Sequence, residues 1–260
     1  MNTIWLERDG LRLHAVEQGQ GDCVLLLHGG MGDHRAVMPY LLPLSKRFRV
    51  LAPDLRGSGR SWCGGSLGFD QFTGDLEALL DHVGVQKVVI IGVSSGTGVA
   101  IHFALAHPGR LAGFAAIHPV YAGEEQGYTP EQAGIFAWMD GIASQALDKG
   151  IEALRPLYAA APEQFREQAM AMAMEFDAAS VVATSHLLVS GAQPFRKLED
   201  LGRIRVPSLL VKGADPMHPA ALSDAYLRTL PDVEALEPQD VALSDKLASF
   251  CASCFRASRT

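Results

Sequence analysis

The pentapeptide Gly92-Val93-Ser94-Ser95-Gly96 has the spacing that points most directly to chemistry in this chain. It follows an apolar strand pattern and opens a helical one, which is the setting in which G-x-S-x-G presents a nucleophilic serine on a strained turn. The flanking glycines let strand and helix approach closely. The sequence therefore predicts Ser94 as a nucleophile, with the N–H of Ser95 directed at a developing oxyanion from the start of the helix.

A second glycine-rich loop, His28-Gly29-Gly30-Met31-Gly32, follows the apolar run Cys23–Leu27. Three glycines in five residues let the backbone turn sharply and leave its N–H groups exposed, which suits the stabilisation of an anion. A tight strand-to-helix turn without a chemical role explains the same residues equally well. The loop alone does not choose between these readings.

A reactive serine needs a positioned base, because the pKa of its hydroxyl is far too high for it to act unaided at neutral pH. The last histidine of the chain is His218, and the stretch after the final strand pattern offers only Gln239 and Asp240. Glutamine does not usefully accept a proton, and an ordinary aspartate is a weak base for serine. The base must therefore be an imidazole that lies earlier in the chain.

Two histidines are candidates for that base. His118 ends a strand beside the nucleophile's strand, at the entrance to a helical insertion, and this position favours it. His218 lies three residues after Asp215 and could swing towards Ser94. We expect one of the two rings within about 5 Å of Ser94, a loose allowance over hydrogen-bond reach.

The elements that must position these residues alternate between strand and helix patterns, apart from a helical stretch rich in Ala, Met and Gln between residues 121 and 191. This order predicts an α/β fold with a mostly parallel sheet, helices on both faces and a helical cap inserted between two strands. Ligands in such sheets bind beyond the carboxyl ends of the strands. The strand patterns are Thr3–Glu7, Leu11–Val16, Cys23–Leu27, Phe48–Ala52, Lys87–Val93, Ala112–Ile117, Val206–Val211 and Val233–Leu236.

Composition narrows the function classes. Of the 260 residues 48% are hydrophobic and 20% are charged, which is ample material for a buried core. A net charge of −7 without a dense basic run disfavours a nucleic-acid partner. No apolar run approaches the roughly 20 residues of a membrane span, and charged residues interrupt the N-terminus before a signal-type core. We expect a cytoplasmic protein with a small-molecule substrate and no membrane partner. The sequence does not decide between a monomer and a homodimer.

Four cysteines give little evidence for metal or redox work. Cys251 and Cys254 form a C-x-x-C on a helical pattern near the end of the chain. A zinc knuckle needs a second ligand pair at similar spacing, and the sequence has none. We expect two thiols on a buried helix face, no metal and no other cofactor.

Over essentially its whole length the chain resembles the α/β-hydrolase superfamily, through HGG at 28–30, PDLRGSGRS at 53–61, GVSSG at 92–96 and LLVKGADPMHP at 209–219. The resemblance implies an eight-stranded sheet with a helical cap after the sixth strand, here a core of 1–118 and 201–260 and a cap of 119–200. It implies Ser94 as nucleophile, the N–H groups of Gly30 and Ser95 as the oxyanion hole, and Asp215 as the triad acid. The chain departs from the superfamily in lacking a histidine after the last strand.

These observations predict a serine-dependent hydrolase that attacks an ester, a lactone or a comparable acyl bond through a seryl intermediate. The cap offers no convincing cation, which favours a small, neutral and fairly apolar substrate. The missing histidine keeps two alternatives open: a ligand-binding or catalytically silent protein, and a lyase-type enzyme on the same fold. The candidate substrate contacts are Gly29, His34, Trp138, His186 and His218.

Overall fold

The computed structural model of the protein describes residues 1–8, 10–62, 67–159, 163–237 and 242–259, so Gln239 and Asp240 lie outside the described residues. Its strands are Asn2–Arg8 (β1), Leu11–Gln18 (β2), Cys23–Leu27 (β3), Arg49–Pro53 (β4), Val88–Val93 (β5), Leu111–Ile117 (β6), Ser208–Val211 (β7) and Val233–Leu236 (β8). Each overlaps a predicted strand, with boundaries that differ by at most two residues.

These strands form one eight-stranded sheet in the order β1-β2-β4-β3-β5-β6-β7-β8. The pairs β1/β2 and β2/β4 are antiparallel, and all the other neighbours are parallel. The predicted mostly parallel α/β fold is confirmed. Strand β5, which ends at the G-x-S-x-G loop, lies between β3 and β6, so the loops after all three strands meet at one edge of the sheet.

Helices cover both faces of the sheet and fill the interval between β6 and β7. Their bounds are Met38–Leu44 (α1), Phe69–His82 (α2), Gly96–Ala106 (α3), Pro130–Ala143 (α4), Ala146–Lys149 (α5), Arg155–Ala159 (α6), Glu163–Ala173 (α7), Ala178–Val189 (α8), Ala220–Thr229 (α9) and Leu243–Ala257 (α10). Short 3-10 helices lie at His34–Val37, Pro108–Arg110, Ile151–Leu154 and Leu198–Arg203. We call residues 119–200 the cap; its first helix, α4, begins with Pro130 after a capping box between Thr129 and Gln132.

The sheet is buried on both faces, as the continuous apolar strands require. In β3, Leu25 and Leu27 belong to the core cluster that includes residues of α2, α3 and α9, while Val24 and Leu26 belong to the cluster that includes α1 and α10. Helix α10 also buries Cys251 and Cys254 as free thiols, which confirms the prediction that both lie on a buried helix face. Burial raises the pKa of the Cys254 thiol to about 11. Among the described helices, none combines the length and apolar character needed to cross a bilayer.

A buried carboxylate, Asp54, joins the loops that follow β3 and β4. Its oxygens accept hydrogen bonds from Nδ1 of His14 at 2.8 Å and Nδ1 of His34 at 2.6 Å. The main-chain N–H groups of His34 and Arg60 donate to the same carboxylate, each at 2.9 Å. Burial alone would raise the pKa of Asp54, but the hydrogen bonds from His14 and His34 outweigh it and hold this pKa well below its ordinary value.

Replacing Asp54 by asparagine is expected to lower the free energy of unfolding by about 3 kcal/mol at pH 7, because donors that faced a buried carboxylate would face an amide instead. Since the folded state favours the carboxylate, this contribution is complete above the unfolded pKa near 3.9 and is lost as the pH falls below it. The deficit of the variant should therefore shrink below about pH 4. Urea unfolding at pH 7, 5 and 3.5 measures it.

Asp81→Asn is the matched control, because Asp81 makes an exposed ion pair with Arg110 and such pairs contribute about 0–1 kcal/mol. A deficit for Asp54→Asn that equals the control, or that does not change with pH, would contradict this account of the carboxylate.

Candidate active site

Ser94 sits at a sharp turn between β5 and α3. Its φ is 51°, in the left-handed region that a residue with a Cβ rarely adopts, as the motif predicts. The Ser94 N–H donates to the carbonyl of Ile117 at the end of β6, 2.8 Å away. Conformations of this kind persist where the surroundings hold them, often at functional sites.

The glycines of the motif allow three segments to touch at this turn. A Cβ on Gly92 would lie 2.5 Å from the carbonyl oxygen of Gly96, and a Cβ on Gly96 would lie 2.4 Å from the carbonyl oxygen of His28. Both contacts are with main chain, which has little freedom to move away. The turn thus brings the start of α3 and the loop after β3 against the nucleophile.

The side chains of Ser94, His218 and Asp215 form a hydrogen-bonded chain. The Ser94 Oγ lies 2.9 Å from His218 Nε2, and His218 Nδ1 lies 2.9 and 3.0 Å from the two oxygens of Asp215. With Nδ1–H donating to the carboxylate, Nε2 is left as the acceptor for the serine proton. This is the arrangement of a nucleophile, a base and an orienting acid.

The local sequence explains why acid and base face each other. Asp215-Pro216-Met217-His218 has Asp at the first and Pro at the second position of a turn, as β-turns prefer, and the His218 N–H donates to the Asp215 carbonyl at 3.1 Å. The Asp215 carboxylate also accepts the N–H groups of Met217 and His218, both at 2.9 Å. One turn therefore fixes both side chains.

The two ends of this acid–base pair differ in exposure. The His218 side chain is 13% exposed, whereas that of Asp215 is 57% exposed. Partial burial would raise the pKa of the Asp215 carboxyl, but hydrogen bonds from His218 and Met217 and the charge of His218 outweigh it, so the pKa lies below its ordinary value. Asp215 therefore stays a carboxylate at neutral pH and favours the Nδ1–H tautomer of His218.

The structure corrects the preference for His118 as the base. His118 also has a left-handed φ, 52°, and its ring centroid lies 5.7 Å from that of His218, but the ring bonded to Ser94 is that of His218. The Nε2 of His118 is buried without a hydrogen-bond partner in the described part of the chain. Burial, followed by the nearby His218, lowers the pKa of His118. Among the described residues, no carboxylate accepts a hydrogen bond from His118 in the way that Asp215 accepts one from His218.

The loop after β3 packs directly over the nucleophile. A Cβ on Gly29 would lie 3.2 Å from Ser94 Cβ, and a Cβ on Gly30 would lie 3.0 Å from Ser95 Oγ. Within the described part of the chain, the N–H groups of Gly30 and Ser95 donate to no protein acceptor. Two such groups beside a serine are suited to an oxyanion.

His28 holds this loop in shape. Its Nε2 accepts the N–H of Leu55 at 3.0 Å, so Nδ1 carries the proton and donates to the Gly29 carbonyl at 2.7 Å. Burial, the largest influence, lowers the pKa of His28. A neutral imidazole that bridges two loops has a structural role, as its place in the motif suggested.

A small cavity of about 30 Å³ borders the oxyanion loop. Gly29, Gly30 and Ser95 line it on the side of the oxyanion loop, and Thr184, Leu187 and Leu188 line it from the cap. This volume holds one or two water molecules, and it lies beside Ser94 rather than against it, since neither Ser94 nor His218 lines it. Its apolar walls are Leu55, Phe69, Phe72, Val99, Tyr121, Leu187 and Leu188.

Three predicted substrate contacts lie away from this cavity. His34 is buried and bonded to Asp54, behind the oxyanion loop. Trp138 is 51% exposed on the outer side of the cap. The His186 side chain is 59% exposed and lies 3.6 Å from Asp140. The structure does not bring these three side chains to the cavity, because sequence position alone does not say which side of an element faces it.

His14, His34 and Asp54 are the described group whose geometry comes nearest to a metal site, with donor atoms within 4.8 Å of one another. However, each Nδ1 lies 2.6–2.8 Å from a carboxylate oxygen, which is hydrogen-bond distance and leaves no space for an ion between them. The group fits a hydrogen-bonded support better than a metal centre.

The sheet order and the turn at Ser94 are those of the α/β-hydrolase fold. The family described as alpha/beta hydrolase fold matches residues 22–241, and the chain belongs to this family.

The chain is similar in sequence to parts of two curated hydrolases. It is 41% identical over 101 residues to a soluble epoxide hydrolase of Corynebacterium sp. (strain C12), covering 37% of this chain and 34% of the relative. It is 32% identical over 154 residues to 2-hydroxymuconate semialdehyde hydrolase of Pseudomonas putida, covering 52% of each. The chain thus spans about a third to a half of the length of these curated relatives.

A solved structure supports the fold over the full length. A thermophilic esterase from Thermogutta terrifontis superposes with a TM-score of 0.78 and 22% identity, covering all of both chains. At this identity the similarity concerns the fold.

Replacing Gly92 by alanine is expected to lower the free energy of unfolding by about 3 kcal/mol, because the added Cβ would overlap main-chain atoms. Gly134→Ala is the control: Gly134 is exposed within α4, and a Cβ there meets nothing within 4 Å. Replacing a glycine by alanine in an exposed helix interior should raise the free energy of unfolding by about 0.5–1 kcal/mol. Chemical denaturation of both variants measures the difference, and equal stabilities would show that the close approach at the turn is not needed.

Proposed function

We propose that this protein is a serine-dependent hydrolase that cleaves a small, fairly apolar ester, lactone or comparable acyl bond through a seryl intermediate. The observation that carries the proposal is the chain of hydrogen bonds from Ser94 through His218 to Asp215, at 2.9 Å and 2.9–3.0 Å. It places a base on the nucleophile and an acid on the base, which is what activates a serine hydroxyl.

The first half-reaction forms the acyl-enzyme. His218 Nε2 takes the Ser94 proton as Oγ attacks the acyl carbon, and the carbonyl oxygen becomes an oxyanion that the N–H groups of Gly30 and Ser95 stabilise. The tetrahedral intermediate collapses as His218 gives its proton to the leaving oxygen. An alcohol departs, or, in a lactone, the new hydroxyl stays on the acyl group.

The second half-reaction restores the enzyme. His218 takes a proton from a water molecule, whose oxygen attacks the acyl carbon and forms a second oxyanion. Collapse returns the proton from His218 to Ser94 Oγ and releases the carboxylic acid. Asp215 holds Nδ1–H throughout and stabilises the imidazolium that forms twice.

The lining of the cavity beside the oxyanion loop supports the proposal of a neutral, apolar substrate. Its walls are mainly leucine and aromatic side chains, and its cation, Arg56, is already bound to both oxygens of Asp75 at 2.8 and 2.6 Å. A substrate carboxylate would have to compete with that buried pair. The ligand-binding alternative depended on a missing base, and His218 in hydrogen-bond contact with Ser94 favours the hydrolase over it.

Ser94→Ala and His218→Ala are expected to lower kcat on p-nitrophenyl esters by at least about 10³-fold, because each removes part of a unit that acts together. His118→Ala is the matched control and should stay within about fivefold of the wild type, since it does not bond to the nucleophile. Steady-state kinetics on acetate and butyrate esters measure the three variants. A fluorophosphonate probe should label the wild type but not Ser94→Ala.

Equal losses in His118→Ala and His218→Ala, with both variants folded by circular dichroism, would overturn the assignment of the base. A wild-type protein that is neither labelled nor faster than Ser94→Ala would overturn the proposed hydrolase itself and favour a binding role.

A further inference from the structure

The cap has a hydrophobic cluster of its own, and it receives one buried residue from outside the cap. In the described part of the chain that residue is Met31, from the loop that carries Gly30. The side chain of Met31 is thus anchored in the cap, although its backbone belongs to the loop after β3. The buried cap members of this cluster are Ala143, Ala146, Leu154, Tyr158, Met172, Ala173, Phe176 and Val181.

A hydrogen bond fixes the backbone of the same residue. The Tyr158 hydroxyl, on α6, donates to the Met31 carbonyl at 2.6 Å, and the bond is buried. Met31 has a φ of 58°, in the left-handed region that disfavours a residue with a Cβ. Such a conformation persists only where surrounding contacts hold it, and the cap supplies these contacts.

A second attachment follows four residues further on. Arg35 is bound to Asp33 and donates to Glu175 of the cap at 2.8 Å and to the Met172 carbonyl at 3.3 Å. The stretch from Met31 to Arg35 is therefore tied to the cap at both ends. On its other side, Gly30 packs against Ser95 and Leu188.

We propose that Tyr158 is a positioning residue through which the docked cap holds the oxyanion loop in its working shape. The inference rests on the proposed hydrolase function and adds a means of controlling it. Tyr158 holds the Met31 carbonyl, which lies two peptide units after the Gly30 N–H, and so limits the directions in which that N–H can point at the oxyanion. Because donors aimed in advance account for much of such catalysis, a small displacement of this loop is costly.

This arrangement couples substrate entry to the chemistry. The cap also lines the cavity beside the oxyanion loop, through Thr184, Leu187 and Leu188, and a shift of α6 withdraws the contacts of Met31. The oxyanion hole is then complete only when the cap has closed again over the substrate. Acyl transfer is confined to the closed, water-poor state.

Tyr158→Phe tests the proposal, because it removes one hydroxyl and keeps the ring in the cluster. We expect kcat to fall about 10- to 100-fold with KM within about threefold, since the lost interaction acts mainly on the transition state. Tyr226→Phe is the matched control: its hydroxyl donates to the Tyr121 carbonyl at 2.7 Å, also buried, but in the core. It should change neither constant by more than about threefold.

A second measurement does not depend on activity. Amide hydrogen exchange of peptides covering residues 28–33 should become faster in Tyr158→Phe and stay unchanged in Tyr226→Phe, because only the first releases the oxyanion loop. Equal kinetics and equal exchange in the two variants would overturn the proposal and leave Tyr158 a residue that only stabilises the cap.

The two proposals fail in different ways. A wild type that is not labelled by fluorophosphonate overturns the hydrolase, and the exchange experiment still decides whether the cap holds the loop. A labelled, active wild type with an unchanged kcat in Tyr158→Phe overturns the positioning role alone.

Discussion

The close contact between β5, α3 and the loop after β3 is the constraint on which the rest of the site depends. With no side chain at Gly92 or Gly96, the main chain of α3 comes within van der Waals distance of the strand end and of the His28 carbonyl. Ser94 takes a left-handed conformation to make this turn. This close contact places Ser94, the N-terminus of α3 and the loop after β3 side by side.

Several polar groups whose residue types could act in catalysis hold these loops in place instead. His28 links the oxyanion loop to Leu55, and Asp54 gathers His14, His34 and the main chain at residue 60. These groups are buried and make their hydrogen bonds within the protein, except that Nε2 of His14 has no partner in the described part of the chain. Imidazole suits this task because one ring nitrogen can accept while the other donates. His14, His28 and His34 thus support the loops around the site, whereas His218 contacts Ser94.

Apolar periodicity predicted the sheet and its strand bounds, and the G-x-S-x-G spacing predicted the strained turn at Ser94, because these follow from local pattern and burial. The base was harder to predict. Strand-end position favoured His118, whereas the outcome depended on the turn Asp215-Pro216-Met217-His218, whose hydrogen bonds aim one ring at Ser94. Turn residues at fixed positions were the available signal. The outward side chains of Trp138 and His186, and the anchoring of Met31 in the cap, depend on tertiary packing that spacing does not encode.

The acid and the base share one short turn, and this changes which parts of the chain are free to vary. An insertion or deletion within Asp215–His218 therefore displaces both groups at once. The geometry of the proposed acid–base pair therefore depends on the local fold of four residues and not on a contact between distant segments.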